Sequence, residues 1–156
     1  MVVIRRARKE EIDIVANLLS RMYRLNSEFD PLLQVPEDLE ERMKKSLEIS
    51  MIDDNFIIVV AEEEGKIVGA ARVRIANREF YVPEREGIIE EIYVHPSYRR
   101  RGIGEAIINY IQRELSNKGI KIISAHFPAK NVIAVSFYNK LGFIEEHYHF
   151  IKYISK

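Results

Sequence analysis

The 156-residue sequence contains no cysteine and no tryptophan. Without cysteine the chain can form no disulfide framework, no thiolate nucleophile and no cysteine metal site. It also lacks an excess of charge of either sign, because 24 Lys and Arg residues balance 24 Asp and Glu residues. The basic field that would hold a nucleic-acid backbone is therefore absent, and we expect no nucleic-acid partner.

Long hydrophobic runs are absent too. No N-terminal apolar segment is long enough for a signal peptide or a membrane span, so we expect a cytoplasmic location and no membrane partner. The sequence shows no internal repeat and no low-complexity tract. A chain of 156 residues suits one hydrophobic core, and we predict a single domain over residues 1–156.

Hydrophobic periodicity predicts a mixed α/β fold with a central sheet. Helical spacing of apolar residues predicts a helix over about 10–26, and Pro36 with two following acids starts a second helix that runs toward Ser50. Glu64-Gly65 predicts the turn of a hairpin. Further helices are predicted after residue 102 to about 117 and over 130–141. Apolar runs predict strands at 2–5, 56–61, 67–75, 88–94 and 120–127, and a closing antiparallel pair within 143–153.

Residues 99–104, with the sequence Arg-Arg-Arg-Gly-Ile-Gly, place glycine and positive charge where a helix begins. The amides of a first helical turn lack intrahelical partners, and the helix dipole adds about +0.5 charge there. The segment therefore favours an anion such as phosphate, and glycines at 102 and 104 leave room for it. A P-loop is excluded because Glu105 and Ala106 follow Gly104 where Lys and Ser or Thr are needed. A dinucleotide fingerprint fails because Ile107 replaces its third glycine or alanine.

Two linked motifs carry a family resemblance. The pattern Arg-x-x-Gly-x-Gly at 99–104 resembles the signature of the GNAT superfamily of acetyl-CoA-dependent N-acetyltransferases, and the preceding EEIYVHP at 90–96 is similar to that of its diamine and thialysine acetyltransferases. A second family segment, NxxAxxFYxxLGF, follows at 131–143. Two motifs in the expected order are far more specific than one. The resemblance implies a central, mostly antiparallel sheet of about seven strands, with splayed central strands, flanked by about four helices.

The resemblance also implies that acetyl-CoA is the cosubstrate and that CoA leaves as product. The family holds the CoA pyrophosphate at the helix N-terminus and pairs the pantetheine amides with the main chain of the splayed strand. Asn131 additionally suits the N-cap of its helix. The implied cofactor-binding residues are Ile92, Tyr93, Val94, Arg99, Arg100, Arg101, Gly102, Ile103, Gly104, Glu105, Asn131 and Ala134.

The candidate catalytic base is Glu90. An alkyl ammonium has a pKa of about 10.4, so a base must take its proton before the amine can attack a thioester. The diamine and thialysine enzymes carry their catalytic glutamate at the place that matches Glu90. Glu91 is an alternative base, since adjacent strand residues face opposite ways and only one of the two is expected at the substrate. Both glutamates could instead be solvated edge positions.

Histidine and tyrosine supply the remaining candidates. His126 is a rival base, because some N-terminal acetyltransferases of the superfamily use a histidine at this place and a neutral imidazole needs little tuning at pH 7; a structural histidine is the alternative. The resemblance assigns Tyr138 as the general acid for the departing CoA thiolate, with an aromatic core residue as the alternative. His147 and His149 could share one strand face, but two ligands without a third predict no metal site.

The sequence therefore predicts an N-acetyltransferase in which a bound primary amine, of a small molecule or of a protein or peptide, attacks acetyl-CoA directly. A non-catalytic acyl-CoA-binding regulatory module is the second hypothesis. The family commonly forms dimers, and the expected strands at 143–153 are candidate edges for a homodimer. The acceptor surface is expected around residues 22–35 and 77–87, whose acids could attract a cationic amine or be solvated loop charge. These acids are Glu28, Asp30, Glu79, Glu84 and Glu86.

Overall fold

The computed structural model describes residues 1–155, which contain four α-helices and five β-strands. The helices are α1 Ile12–Phe29, α2 Leu39–Met51, α3 Ile103–Asn117 and α4 Val132–Lys140. The strands are β1 Val2–Arg6, β2 Phe56–Glu63, β3 Lys66–Asn77, β4 Arg85–Val94 and β5 Ile123–Ala125. The predicted α/β class, the four helices and the hairpin across Glu64-Gly65 are confirmed. No helix in this part of the chain combines the length and apolarity needed to cross a membrane.

The five strands form one sheet in the order β1-β2-β3-β4-β5, antiparallel except for the parallel pair β4 and β5. One face of the sheet packs against α3 and α4, and the other packs against α1 and α2. In α3 the apolar residues Ile103, Ile107, Ile111 and Leu115 recur every four positions, and all of them are buried. This spacing aligns them on one helix face, which is why α3 lies flat on the sheet.

A β-bulge interrupts the pairing of β3 with β4. Arg72 pairs with Glu91 and Val73 pairs with Ile89, so Glu90 is an extra residue without an opposite partner. A bulge shifts the alternation of side chains along its strand. As a result, two adjacent glutamates of β4 are not forced onto opposite faces of the sheet.

β4 and β5 separate soon after they meet. Their parallel pairing covers only residues 87–89 of β4 and 123–125 of β5. Beyond Ile89, β4 continues to Val94 with β3 on one side and no described strand on the other. The sheet is therefore splayed at Glu90, and no described strand pairs with the outer edge of residues 90–94.

The prediction of about seven strands is wrong for residues 1–155, which contain five. The expected strand over 120–127 is reduced to Ile123–Ala125, and the expected closing pair within 143–153 has no regular secondary structure. Aromatic and β-branched residues make a segment suited to a sheet, but a strand also needs a hydrogen-bonded neighbour. The local sequence pattern carries no information about whether that neighbour is present.

Candidate active site

The predicted anion seat lies at the N-terminus of α3. Gly102 is its N-cap with a φ of 75°, and Arg100 before it has a φ of 65°. The first helical hydrogen bond runs from the Ala106 amide to the Gly102 carbonyl, and no side chain caps the helix. The amides of residues 103–105 are therefore left without intrahelical partners, and they can donate hydrogen bonds to an anion.

The two glycines of the seat have different tasks. A Cβ built on Gly102 would meet nothing within 4 Å, but its positive φ disfavours any other residue. A Cβ on Gly104 would lie 3.2 Å from Cζ of Phe137 on α4. Gly104 thus permits the close approach of α3 and α4, whereas the sequence argument gave it the task of making room for the anion.

The three arginines before α3 differ in what they contact. Arg99 donates from Nε to the Val94 carbonyl at 3.0 Å, and Arg101 pairs with Glu63 at 3.1 Å. Their guanidinium groups also lie over aromatic rings. The Arg100 side chain makes no hydrogen bond or ion pair within residues 1–155 and is exposed. The three arginines thus directly precede the open amides in the chain, and Arg100 is the least constrained of the three.

Glu91 lies at the centre of a buried polar network on the α1 and α2 face. Arg72 donates to both of its carboxylate oxygens, Nε to Oε1 at 2.8 Å and Nη2 to Oε2 at 2.7 Å. The Tyr23 hydroxyl of α1 donates to Oε2 as well, and Arg72 reaches Ser46 and Ser50 of α2. Burial raises the pKa of the Tyr23 hydroxyl, and the charge of Glu91 raises it further. Both oxygens of Glu91 are thus occupied inside the core.

Glu90 lies on the same face of the sheet as Glu91, but its side chain is partly exposed to solvent. Arg74 follows Arg72 by two residues on β3 and donates from Nε to Glu90 Oε1 at 2.9 Å. The Glu90 side chain is 25% exposed, and its Oε2 has no protein partner among residues 1–155. Of the two adjacent carboxylates, only Glu90 therefore presents a free oxygen next to the splay.

His126 lies at the same level of the sheet as Glu90. It directly follows Ala125, which pairs with Ile89, and its amide donates to the Ile89 carbonyl at 3.4 Å. His126 is exposed. The main chain thus places two base candidates, Glu90 and His126, beside the point where β4 and β5 part.

Tyr138 lies on the buried side of α4 in an aromatic cluster. Its ring stacks on Phe127 with centroids 5.0 Å apart, and Phe137 and Phe143 meet it edge-on at 5.1 and 5.0 Å. Burial raises the pKa of the Tyr138 hydroxyl. The hydroxyl has no hydrogen bond to residues 1–155, yet it is not among their solvent-sealed unpaired polar atoms, which are Ser20 Oγ and Ser124 Oγ. It therefore remains in contact with the surface.

Asn131 caps α4, as its sequence position predicts. Its Oδ1 accepts a hydrogen bond from the Ala134 amide at 3.1 Å. Its Nδ2 donates to Asn26 Oδ1 of α1 at 3.3 Å, and both asparagines are buried. This bond joins the start of α4 to α1.

Three of the remaining polar candidates, Asp30, Glu86 and His147, have charged partners. Asp30 lies 3.9 Å from Lys130, and Glu86 lies 3.7 Å from Arg78. His147 pairs with Glu146, and within residues 1–155 no three metal-ligating side chains form a group. The prediction of no metal site stays a prediction.

Sequence reasoning missed Tyr23, Asn26, Arg72 and Arg74. Two arginines alternate with apolar residues along β3, a pattern that usually indicates a solvated face. Arg72 is only 8% exposed, however, because α1 and α2 cover that face. A second signal was available, since two acids on β4 and two bases on β3, the preceding strand in the chain, form matching charged pairs.

Comparison with known proteins gives a family match over most of the chain. The model of the Acetyltransferase (GNAT) family matches residues 16–143. An uncharacterized N-acetyltransferase of Methanocaldococcus jannaschii is 36% identical over 95 residues, which cover 60% of this chain and 41% of that protein. The ribosomal protein bS18 alanine N-acetyltransferase of Escherichia coli is 33% identical over 60 residues, covering 38% and 40%. The matched part thus spans well under half the length of these two relatives.

A solved structure shares the fold along nearly the whole chain. The crystal structure of a predicted acetyltransferase from Clostridium acetobutylicum with acetyl-CoA superposes with a TM-score of 0.81 at 17% identity. The superposition covers 99% of this chain and 97% of that one. At this identity the likeness establishes the fold.

Proposed function

The chain belongs to the acetyltransferase (GNAT) family, and we propose that it transfers the acetyl group of acetyl-CoA to a primary amine. The observation that carries this proposal is the position of Glu90. Its carboxylate lies where β4 and β5 separate, with Oε1 fixed by Arg74 and Oε2 unengaged by residues 1–155. A fixed carboxylate with one available oxygen is suited to accept a proton from a bound ammonium.

The open edge of β4 and the start of α3 fit acetyl-CoA, which supplies the activated acetyl group. The unpartnered amides of residues 103–105 and the guanidinium of Arg100 suit the pyrophosphate. The outer edge of β4 at Ile92, Tyr93 and Val94 pairs with no strand among residues 1–155 and suits the amides of the pantetheine arm, in the manner of an added strand, although Arg99 already donates to the Val94 carbonyl. An amide of this edge can also stabilise the charge that develops on the thioester oxygen.

Glu90 is the proposed base. At pH 7 only about one alkyl amine in two thousand is the free base that can attack a carbonyl carbon. Glu90 Oε2 accepts the proton directly or through a water, and the amine nitrogen then forms the new amide bond as the thioester C–S bond breaks. Glu91 is less suited, because Arg72 and Tyr23 already occupy both of its oxygens.

Tyr138 is the proposed donor to the departing thiolate. Its raised pKa keeps the phenol protonated at neutral pH, which suits a hydrogen-bond donor and not a base. The surrounding aromatic rings fix its orientation. A thiolate is a good leaving group, so a hydrogen bond without full proton transfer is sufficient.

The acceptor class is the open part of the proposal, and the test addresses it first. Release of CoA thiol would be measured with acetyl-CoA and a panel of polyamines, amino acids, aminoglycosides and peptides with free N-termini. We expect turnover with at least one primary amine. Glu90→Gln should lower kcat about 100-fold or more, as expected for loss of a general base, while the Kd for CoA changes less than twofold.

Matched variants distinguish the base candidates. Glu48→Gln makes the same chemical change on the exposed side of α2 and should leave kcat unchanged. Tyr138→Phe should lower kcat with little change in CoA affinity. Retained activity in Glu90→Gln together with its loss in His126→Ala would move the base role to His126. Binding of CoA without thiol release on any amine would contradict the enzyme and favour the regulatory module.

A further inference from the structure

The ion pair of Arg74 with Glu90 leaves polar groups of both partners unused. Arg74 Nε donates to Glu90 Oε1 at 2.9 Å. Within residues 1–155 neither Nη group of Arg74 makes a hydrogen bond, and Glu90 Oε2 has no protein partner. The pair therefore offers N–H donors on one side chain and a carboxylate oxygen on the other, directly beside the splay of β4 and β5.

The neighbouring ion pair on the same two strands is closed. Arg72 and Glu91 are joined by two hydrogen bonds, and Arg72 also reaches Ser46 of α2. Both side chains of that pair are nearly or completely buried, whereas those of Arg74 and Glu90 are 41% and 25% exposed. Of the two pairs, only the outer one is therefore accessible to a small molecule.

The charges of these four side chains separate two classes of acceptor. Each carboxylate of β4 at this place is matched by a guanidinium of β3, so the group carries no net charge. A polyamine carries only positive charge, and at Glu90 it would lie against the like charge of Arg74, which is unfavourable. A zwitterion presents an ammonium to Glu90 Oε2 and an anionic group to the Nη groups of Arg74. The pair is therefore complementary to an acceptor with charges of both signs.

We propose that the acceptor is a free α-amino acid and that Arg74 holds its carboxylate; this inference rests on the proposed acetyl transfer. A single carbon separates the two charges of an α-amino acid, so both fit beside an ion pair whose own charged groups are in contact. The planar donors of a guanidinium suit a carboxylate. The α-ammonium gives its proton to Glu90, and the nitrogen bonds to the acetyl carbon as the C–S bond breaks. The products are an N-acetyl amino acid and CoA.

The test compares acceptors that differ only at the carboxylate. Thiol release from acetyl-CoA would be measured with each common primary α-amino acid, with the amine that it gives on decarboxylation, and with its amide. The carboxylate preference is defined here as kcat/KM for an amino acid divided by kcat/KM for its decarboxylated amine. We expect Arg74→Gln to lower this preference about tenfold or more, as expected for lost hydrogen bonds to a charged group. Arg74→Lys, which keeps the charge, should retain part of it.

The preference separates recognition by Arg74 from its effect on Glu90. A displaced Glu90 would lower turnover of both amines alike and leave their ratio unchanged, and the amines' own pKa values cancel when one pair is compared in two proteins. Because the ion pair is partly exposed, Arg74→Gln should fold. The matched control, Arg113→Gln, makes the same change on the exposed side of α3, across the sheet, and should not alter the preference.

Two kinetic results would overturn the inference. One is a decarboxylated amine or an amide that reacts as well as its amino acid, and the other is an unchanged preference in Arg74→Gln. Absence of thiol release with every amine would instead contradict the proposed function, and binding then decides. An α-amino acid should raise the Tm of the CoA-saturated wild type but not that of CoA-saturated Arg74→Gln. No shift in the wild type, or an equal shift in both proteins, would overturn the inference independently of catalysis.

Discussion

The buried pair of Arg72 and Glu91 predicts a large loss of stability when only one partner is removed. The Arg72 side chain is 10% exposed and the Glu91 side chain is fully buried, and two hydrogen bonds of 2.8 and 2.7 Å join them. In Arg72→Met the carboxylate keeps only the Tyr23 hydroxyl as a donor. An uncompensated buried charge of this kind costs about 3–5 kcal/mol. A domain with a total stability of about 5–15 kcal/mol would lose a large share of it.

Removing the whole network should restore most of that stability. In Tyr23→Phe/Arg72→Met/Glu91→Met no charge and no phenol remains to be solvated in the core. Replacing a buried ion pair by apolar residues of similar volume is often neutral or stabilising. We therefore expect the free energy of unfolding of the triple variant to exceed that of Arg72→Met by about 2 kcal/mol or more. Such a gain indicates that the unpaired buried charge, and not lost packing around Arg72, destabilises Arg72→Met.

The assay is equilibrium unfolding in urea, followed by circular dichroism. Arg74→Met is the matched control, because Arg74 carries the same chemical group on the same strand and pairs with Glu90 at 41% side-chain exposure. Exposed ion pairs contribute about 0–1 kcal/mol. If Arg72→Met costs no more than Arg74→Met, or if the triple variant is as unstable as Arg72→Met, the argument from burial is wrong.

Two further predictions concern the edge and the core of the sheet. A hydrogen bond from Arg5 lowers the pKa of Glu11 to about 2, so this carboxylate stabilises the fold above its ordinary pKa of 4.5 and loses that contribution as the pH falls toward 2. Between pH 6 and pH 2, the melting temperature of Glu11→Gln should therefore fall less than that of the wild type. An equal fall in both proteins would contradict this prediction. A Cβ on Gly87 would lie 2.5 Å from Leu115 Cδ1, so Gly87→Ala should cost about 1–3 kcal/mol in urea unfolding. Leu115→Val in the same chain should recover part of this loss, and no recovery would point to a backbone cause.

Local sequence patterns were sufficient for most helices and strands because their causes are local. Residues Glu64 and Gly65 both adopt positive φ values, and the hairpin turns there as predicted. The α3 helix ends two residues before Gly119, whose φ of 76° fits a glycine after a helix C-terminus. A strand also depends on a hydrogen-bonded partner that is distant in sequence, and local sequence patterns do not predict that partner. Residues 143–153 have strand-like side chains, but no described neighbour supplies a ladder.

The choice between Glu90 and Glu91 shows the same limit at the candidate site. Strict alternation predicts that only one of two adjacent side chains lies on the α1 and α2 face of the sheet. The bulge at Glu90 cancels that rule, and both carboxylates lie on the α1 and α2 face. Their surroundings then separate them, because Glu91 is saturated by Arg72 and Tyr23 whereas Glu90 keeps one oxygen available. A bulge is a property of strand pairing, so no local pattern could reveal it.

Glu91 has a structural task that bears on the role proposed for Glu90. Glu91 ties β4 to α1 and α2 through a network that also contains Arg72, and this fixes the backbone immediately beside the bulge. Because Glu91 fixes the strand beside the bulge, the backbone of Glu90 has a fixed position. A proton acceptor needs such a fixed position relative to the group that it deprotonates. If Glu90 is the base, disturbing Glu91 should therefore lower stability and turnover together, whereas changing Glu90 should lower turnover alone.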